Sequence, residues 1–310
     1  MRPYGEGGKT LMKIKESKGY RVFRVCNAIF MVLLCLFILY PLWYMLIVSI
    51  SNGTAVLAGK VTILPVDITF KAYETILRDK QFLNSYKNTI IITVLGTTIN
   101  LIMTTLCAYP LSRPELLGRK VMMRIATFTM FFTGGMIPNY LLVTGLGLTN
   151  SFFAVVLPGA INVYNMILMR SFFEGIPSAL IEAAHIDGAN DLTVVSRIIL
   201  PLSKPIMLTM LLFYAVSHWN GYLSSLLYLN DKNMYPIQLF VRSIVLSGET
   251  LSLNMESNLV GADTEFGAVM LAEQSTKYAI VIMSILPILI VYPIISKYFK
   301  GGIMIGAVKG

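Results

Sequence analysis

Residues 182–201 read EAAHIDGANDLTVVSRIILP, a polar stretch set between two strongly apolar runs. Glu182 beside Ala183 and Ala184, then Gly188, then an Ile198-x-Leu200-Pro201 finish, predict two short helices lying along a membrane face rather than crossing it. Gly188 is expected at the turn between them, because glycine takes a positive φ without a Cβ penalty. Pro177 suits the first turn of the first helix and Asn190 the N-cap of the second, while Pro201 lacks the N–H that a helix interior needs. Leu192, Val195, Ile198 and Ile199 repeat at helical spacing and are expected to anchor the second helix on the flanking runs. Small Ala183 and Ala184 leave one face open to close approach by another protein.

The composition supports a membrane setting. Hydrophobic residues make up 55% of the 310, charged residues only 13%, and the mean hydropathy is +0.70, too apolar and too poor in charge for an ordinary soluble domain. Runs long enough to span a bilayer, roughly 20 residues each, fall at about 25–50, 88–111, 121–143, 151–172, 206–229 and 278–298. Six spans place both termini on one side. With that side cytoplasmic, seventeen of the 25 Lys and Arg residues lie inside, most densely in the tail 1–20, as the positive-inside rule requires. The net charge of +9 therefore reports orientation and gives no reason to expect a nucleic-acid partner. Outside, residues 51–87 carry an amphipathic stretch at 70–77, residues 139–150 carry no charge, and residues 230–277 form the longest segment, open to a soluble partner. Cys26, Cys35 and Cys107 lack the spacing of a metal or disulfide framework and are expected to be packing residues.

The spacing E-A-A-x3-G-x9-I-x-L-P resembles the cytoplasmic coupling loop of permease subunits of ATP-binding-cassette importers. Ala108-Tyr109-Pro110-Leu111-Ser112-Arg113 resembles the exit of a span in the carbohydrate-uptake branch of that family. Residues 132–143, FTGGMIPNYLLV, and 300–310, KGGIMIGAVKG, resemble segments of a Gram-positive, maltose-permease-like subgroup handling complex oligosaccharides. The likeness runs from about Leu83 to Gly310. It implies an all-α membrane protein of the type I importer permease fold, with six transmembrane helices and a coupling loop at 174–201. The organisation it implies is a tail 1–20, a first helix and outer segment 21–84, a transmembrane domain 85–300 and a C-terminal tail 301–310. It further implies a multi-pass protein in the lipid of the cell membrane, acting as one half of a pair with a homologous second permease. Two ATPase subunits would bind ATP and Mg, an extracytoplasmic sugar-binding lipoprotein would deliver the cargo, and this chain would hold no cofactor. By the same resemblance Glu182, Ala183, Ala184, Gly188, Asn190, Ile198, Leu200 and Pro201 form the ATPase-coupling set. Glu182 there accepts a charge-assisted hydrogen bond.

Other motifs carry less. Gly5-Glu6-Gly7-Gly8-Lys9-Thr10 has Pro3 where a phosphate loop needs glycine, and no strand precedes it, so ATP must be hydrolysed by another chain. In the fifth span, His218, Trp219 and Asn220, with Tyr214 before and Tyr222 after, can offer aromatic faces and hydrogen bonds to a sugar. They can equally bond helices together. Pro158-Gly159 predicts a break in the fourth span, after which Asn162 and Asn165 either line a pathway or join helices. No nucleophile, metal or paired-carboxylate spacing points to an enzyme. The rival to an ATP-driven permease is a secondary transporter of a small polar solute, but ion coupling leaves ionisable residues within spans, and these spans have almost none.

Overall fold

A computed structural model describes residues 18–255, 275–291 and 293 of the chain. The glycine-rich motif at 5–10, the centre of the long acidic segment (256–274), the end of the sixth predicted span and the 300–310 segment lie outside the described residues. Every regular element among those described is helical.

Among the described residues, two helices are long and apolar enough to cross a membrane alone, α1 (Lys18–Ser49) and α4 (Lys80–Ser112). α1 buries only Ile47, Val48 and Ser49 at its end, against Ala55 of α2 (Gly53–Leu57) and Val61. Tyr44 and Met45 are half-buried, and the remaining apolar surface, Cys26 and Cys35 included, is exposed, so those two cysteines are not core packing residues among the described residues. The predicted amphipathic stretch is α3 (Lys71–Arg78), which buries Ala72 and Ile76.

α4 is the spine. Its buried face carries Ser85, Asn88, Thr89, Gly96, Thr97, Asn100, Thr104, Thr105 and Ala108, a small and polar stripe at helical spacing. Lipid is as apolar as leucine, so membrane helices associate through small residues that let backbones approach and through side chains that bond across. α4 accordingly packs against α8 (Val163–Glu174), α12 (Lys204–Asn220) and α14 (Ile237–Met255). Asn88 donates to the Asn233 carbonyl at 2.6 Å, and Thr89 accepts from the Ile237 N–H at 2.7 Å. α14 belongs to the segment read from sequence as an outer loop, yet Ile237 and Phe240 are buried with Phe82, Ala279 and Ile280. Ala279 and Ile280 come from α15 (Ser275–Val291).

Three predicted spans are broken. The third becomes α5 (Arg119–Phe131) and α6 (Met136–Gly145), turned by 112° at Thr133-Gly134-Gly135. Gly135, at φ 85° and ψ 179°, sits where only glycine is comfortable. The fourth divides as predicted at Pro158-Gly159, into α7 (Phe152–Val156), a 3-10 turn at Leu157–Gly159 and α8, with a bend of 54°. The fifth stops at Asn220 rather than 229, and after Gly221 a separate α13 (Leu223–Tyr228) begins. Asn150, at φ 56°, accepts the N–H groups of Asn230 and Asp231 at 3.1 Å and so ties the α6–α7 turn to the link beyond α13.

Candidate functional site

The 174–201 segment folds as two helices around Gly188. α9 (Ser178–Ile186) ends with Gly188 at φ 83°. The Ala189 N–H bonds the Ala184 carbonyl at 2.9 Å and the Gly188 N–H bonds that of His185 at 3.0 Å. This is the paired closure that a left-handed glycine permits at a helix end. Asn190 caps α10 (Asp191–Val194), its Oδ1 accepting from the Thr193 N–H and Oγ1 at 2.8 Å. Pro177 stands at the N-cap of α9, one residue before the predicted first turn.

Two expectations for the second helix need correction. Leu192 is 69% exposed, and Val194 is buried with Val195 and Ile199 instead; the first turn of α10 stands clear of the bundle and only later residues pack. Pro201 does not end the helical run. Residues Val195–Ile199 form a π turn, in which the Leu200 N–H reaches back to the Val195 carbonyl. With one extra residue per turn the ladder absorbs the missing proline donor, and α11 (Leu200–Leu202) carries the chain to an 87° bend into α12. Ile198 and Leu200 are half-buried.

The segment stands on the main core. Ile176, Ile181, Val194, Val195 and Ile199 pack with Ala108, Tyr109 and Leu111 of α4, Met166, Met169 and Phe173 of α8, and Met210 of α12; Ala184 lies at the edge of this cluster. Exposed on α9 are Ser178, Ala179 and Leu180 in its first turn and Glu182, Ala183, His185 and Ile186 beyond it, the last 85% exposed. Ile186 and Leu192 are thus exposed apolar residues on either side of the Gly188 turn, although helical spacing alone placed Leu192 in the core. Below, Glu174 pairs with both Arg119 and Arg170, and the Arg170 Nε donates to the Leu111 carbonyl at 2.8 Å, joining the ends of α4, α5 and α8. A cleft of 500 Å³ opens between the exit of α4 and α9, with Tyr109, Arg113, Glu182 and Asp191 among its walls.

A second polar cluster lies between α4 and α12. The two helices run antiparallel, so that Thr104 meets Tyr214 (2.7 Å between hydroxyls) and, one turn on, Asn100 meets His218 at 2.6 Å. Asn100 Nδ2 donates to the carbonyls of Gly159 and Ala160 at 2.6 and 2.9 Å, which the break between α7 and α8 leaves free. Those two carbonyls fix the orientation of the amide. Asn100 Oδ1 then faces His218 as an acceptor only, so the His218 Nε2 carries the proton. Gly96 makes room for the ring: a Cβ there would lie 2.5 Å from Nε2.

The residues offered for a sugar pathway are divided among different surroundings. His218 belongs to this cluster. Trp219 is buried, its indole N–H donating to the Ser284 carbonyl at 3.1 Å and its ring edge-on to Tyr86. It also lines a groove of 210 Å³ that is apolar except for Thr93 and offers sugar hydroxyls little. Asn220 and Tyr222 are exposed, with the Arg242 guanidinium 5.5 Å from the Tyr222 ring centroid. Asn162 caps α8 by accepting from the Asn165 N–H at 3.0 Å, and Asn165 is buried. Sequence reasoning missed Gly96, Asn100, Thr104 and Arg242. The small-polar period along α4 was the available signal for the first three.

Comparison with known proteins follows the same lines. The family model described as "Binding-protein-dependent transport system inner membrane component" matches residues 12–305. The polygalacturonan/rhamnogalacturonan transport system permease protein YtcP of Bacillus subtilis (strain 168) is 38% identical over 94% of this chain and 99% of its own length. Protein LplC of the same organism is 38% identical over 95% and 97%. A chain from the crystal structure of a bacterial ABC transporter involved in the import of the acidic polysaccharide alginate superposes with a TM-score of 0.83 at 39% identity, covering 92% of this chain and 99% of that one. An apolar multi-helix fold with an exposed helix pair on its core, matched along nearly its whole length, places this chain in the family of binding-protein-dependent transport system inner membrane components, as a permease subunit of a carbohydrate-type ATP-binding-cassette importer.

Proposed function

We propose that this chain is one half of a heterodimeric permease that carries oligosaccharides bearing uronate carboxylates into the cell. It is driven by two separate ATPase subunits, which bind ATP and Mg, and is loaded by an extracytoplasmic binding lipoprotein. The carrying observation is Glu182: an exposed carboxylate on a helix whose other face is buried in the core shared by α4, α8 and α12. Force applied there reaches the spans through packed side chains. Ala183, Ile186 and Leu192, exposed on the same helix pair, add the small and apolar surface that a protein groove takes. Nucleotide binding closes the ATPases, α9 and α10 move with them, and the permease changes the side to which it opens; the nucleotide biases this equilibrium because it binds the two arrangements unequally. The uronate reading is supported by the names of two relatives and by the exposed Tyr222–Arg242 pair, an aromatic face beside a cation at the end of α12.

Glu182→Lys is expected to abolish uptake, because reversing an interfacial charge costs about 2–5 kcal/mol and leaves its partner unpaired. Membrane insertion is expected to be normal. Copurification and transport assays check this: a mutant importer that keeps its ATPases and hydrolyses ATP in response to sugar as the wild type does would remove Glu182 from coupling.

Among the described residues, Arg113, Arg119, Lys120, Arg170, Arg197 and Lys204 lie in the 174–201 segment or at the helix ends beside it, which supports a cytoplasmic position for that end, and an even number of spans supports the same side for both termini. A tag after Lys309 is expected to be labelled only in opened cells, and a tag near Glu249 in intact ones. Labelling of the Glu249 tag only after permeabilisation would overturn this topology.

A further inference from the structure

Arg113 follows the last residue of α4 and lays its guanidinium over the Tyr109 ring, 5.0 Å from the centroid. Its Nε and Nη2 are buried without a hydrogen-bond partner. Stacking on tyrosine offsets part of the desolvation of a cation. It satisfies no N–H, and a buried charged donor left unpaired is costly enough to need an explanation. These two nitrogens present no surface, so a protein docking from outside cannot reach them in this arrangement. A group already in the cleft wall can.

That wall holds three carboxylates. Glu115 is only two residues from Arg113 and would bridge nothing. Glu182 is exposed on α9, where the reading above gives it to the ATPase. Asp191 is the first residue of α10, on the opposite side of the cleft. Arg113 and Asp191 line the same cleft, yet no ion pair joins them. Asp191 has instead His185 across the Gly188 turn, Oδ1 to Nε2 3.5 Å, a contact that is ionic only when the imidazole is protonated. An exposed aspartate with a weak partner thus lines the same 500 Å³ cleft as a guanidinium with two unbonded nitrogens.

We infer that Arg113 and Asp191 pair across this cleft in a second conformation of the importer, making Arg113 a positioning residue that ties the exit of α4 to the second helix of the 174–201 segment. The inference rests on the coupling reading of that segment. Asp191 exchanges His185 for Arg113 as the cleft narrows, and the two buried guanidinium nitrogens gain the carboxylate they lack here. A contact made in one state only biases the equilibrium between states, and through it the motion of α9 and α10 is delivered to the spine.

The test uses the whole importer with its ATPases. Arg113→Asp and Asp191→Arg are each expected to lower the sugar carried per ATP hydrolysed by about tenfold, and the double exchange to recover to within about threefold of wild type, the scale of coupling between residues in contact. A double exchange no better than the poorer single variant, in complexes that assemble, would overturn the pairing. Should a single variant fail to assemble, an Arg113→Cys/Asp191→Cys importer decides: crosslinking by a short bifunctional reagent is expected to change with a bound ATP analogue, and equal crosslinking with and without nucleotide overturns the inference. Failure of the coupling reading itself shows elsewhere, as normal uptake by Glu182→Lys.

Discussion

Asn100→Leu is expected to abolish uptake and to lower the melting temperature of the purified importer. Asn100 bonds three elements at once: α4, from which it extends, the freed carbonyls of Gly159 and Ala160, and His218 of α12. Leucine fits the volume and suits lipid, so the loss is purely one of hydrogen bonds. Three polar groups are stranded where water does not replace the partner. Bonds between membrane helices average only about 0.6 kcal/mol in measured cases, and three at that value already approach 2 kcal/mol; the full cost of stranding buried groups, about 1–3 kcal/mol each, gives several. Either figure displaces the break between α7 and α8, which sits beside the exposed Asn162. Wild-type melting and uptake by the leucine variant would show that the amide is dispensable and the cluster only incidental.

Gly96→Val is expected to prevent assembly altogether. The added Cβ alone would lie 2.5–2.7 Å from three atoms of the His218 ring, and the ring cannot swing away without giving up Asn100. The helices must then part along the seam that also holds Thr104 to Tyr214. Overpacking a well-filled core costs about 1–3 kcal/mol where side chains can adjust; here the backbone of α4 has to move, which puts valine at or beyond the upper end. Gly96→Ala is expected to assemble poorly, and His218→Ala in that background to restore part of the yield by removing the obstruction. Full assembly of the valine variant, measured as copurifying ATPase, would mean that α4 and α12 are not in this register.

The two substitutions also mark where reading the chain alone stops. His218 stood out as a rare titratable group in an apolar run and was open to both a sugar-binding and a helix-joining role. Which applies depends on Asn100, 118 residues away, and no local pattern links them. Trp219 shows the same dependence: the hydrogen bond from its indole runs to the Ser284 carbonyl on a helix that begins 56 residues later. Leu192 fits the apolar period yet lies outside the core, because periodicity describes a helix and not how much of it reaches the bundle.

By itself the sequence determined the membrane class, the approximate run of most apolar segments, the Pro158-Gly159 break and the Gly188 turn capped by Asn190. These follow from transfer free energies and backbone sterics that act on neighbouring residues. Tertiary structure decided what depends on distance. It turned the third apolar run through 112° at Gly134-Gly135, stopped the fifth at Asn220, carried helix through Pro201 by a π turn and used the polar stripe of α4 as an internal seam. The physical reason is that an apolar run reports only that a segment can leave water. Where it bends and which face meets which neighbour are set by the freed carbonyls, small residues and hydrogen bonds that other parts of the chain bring to it.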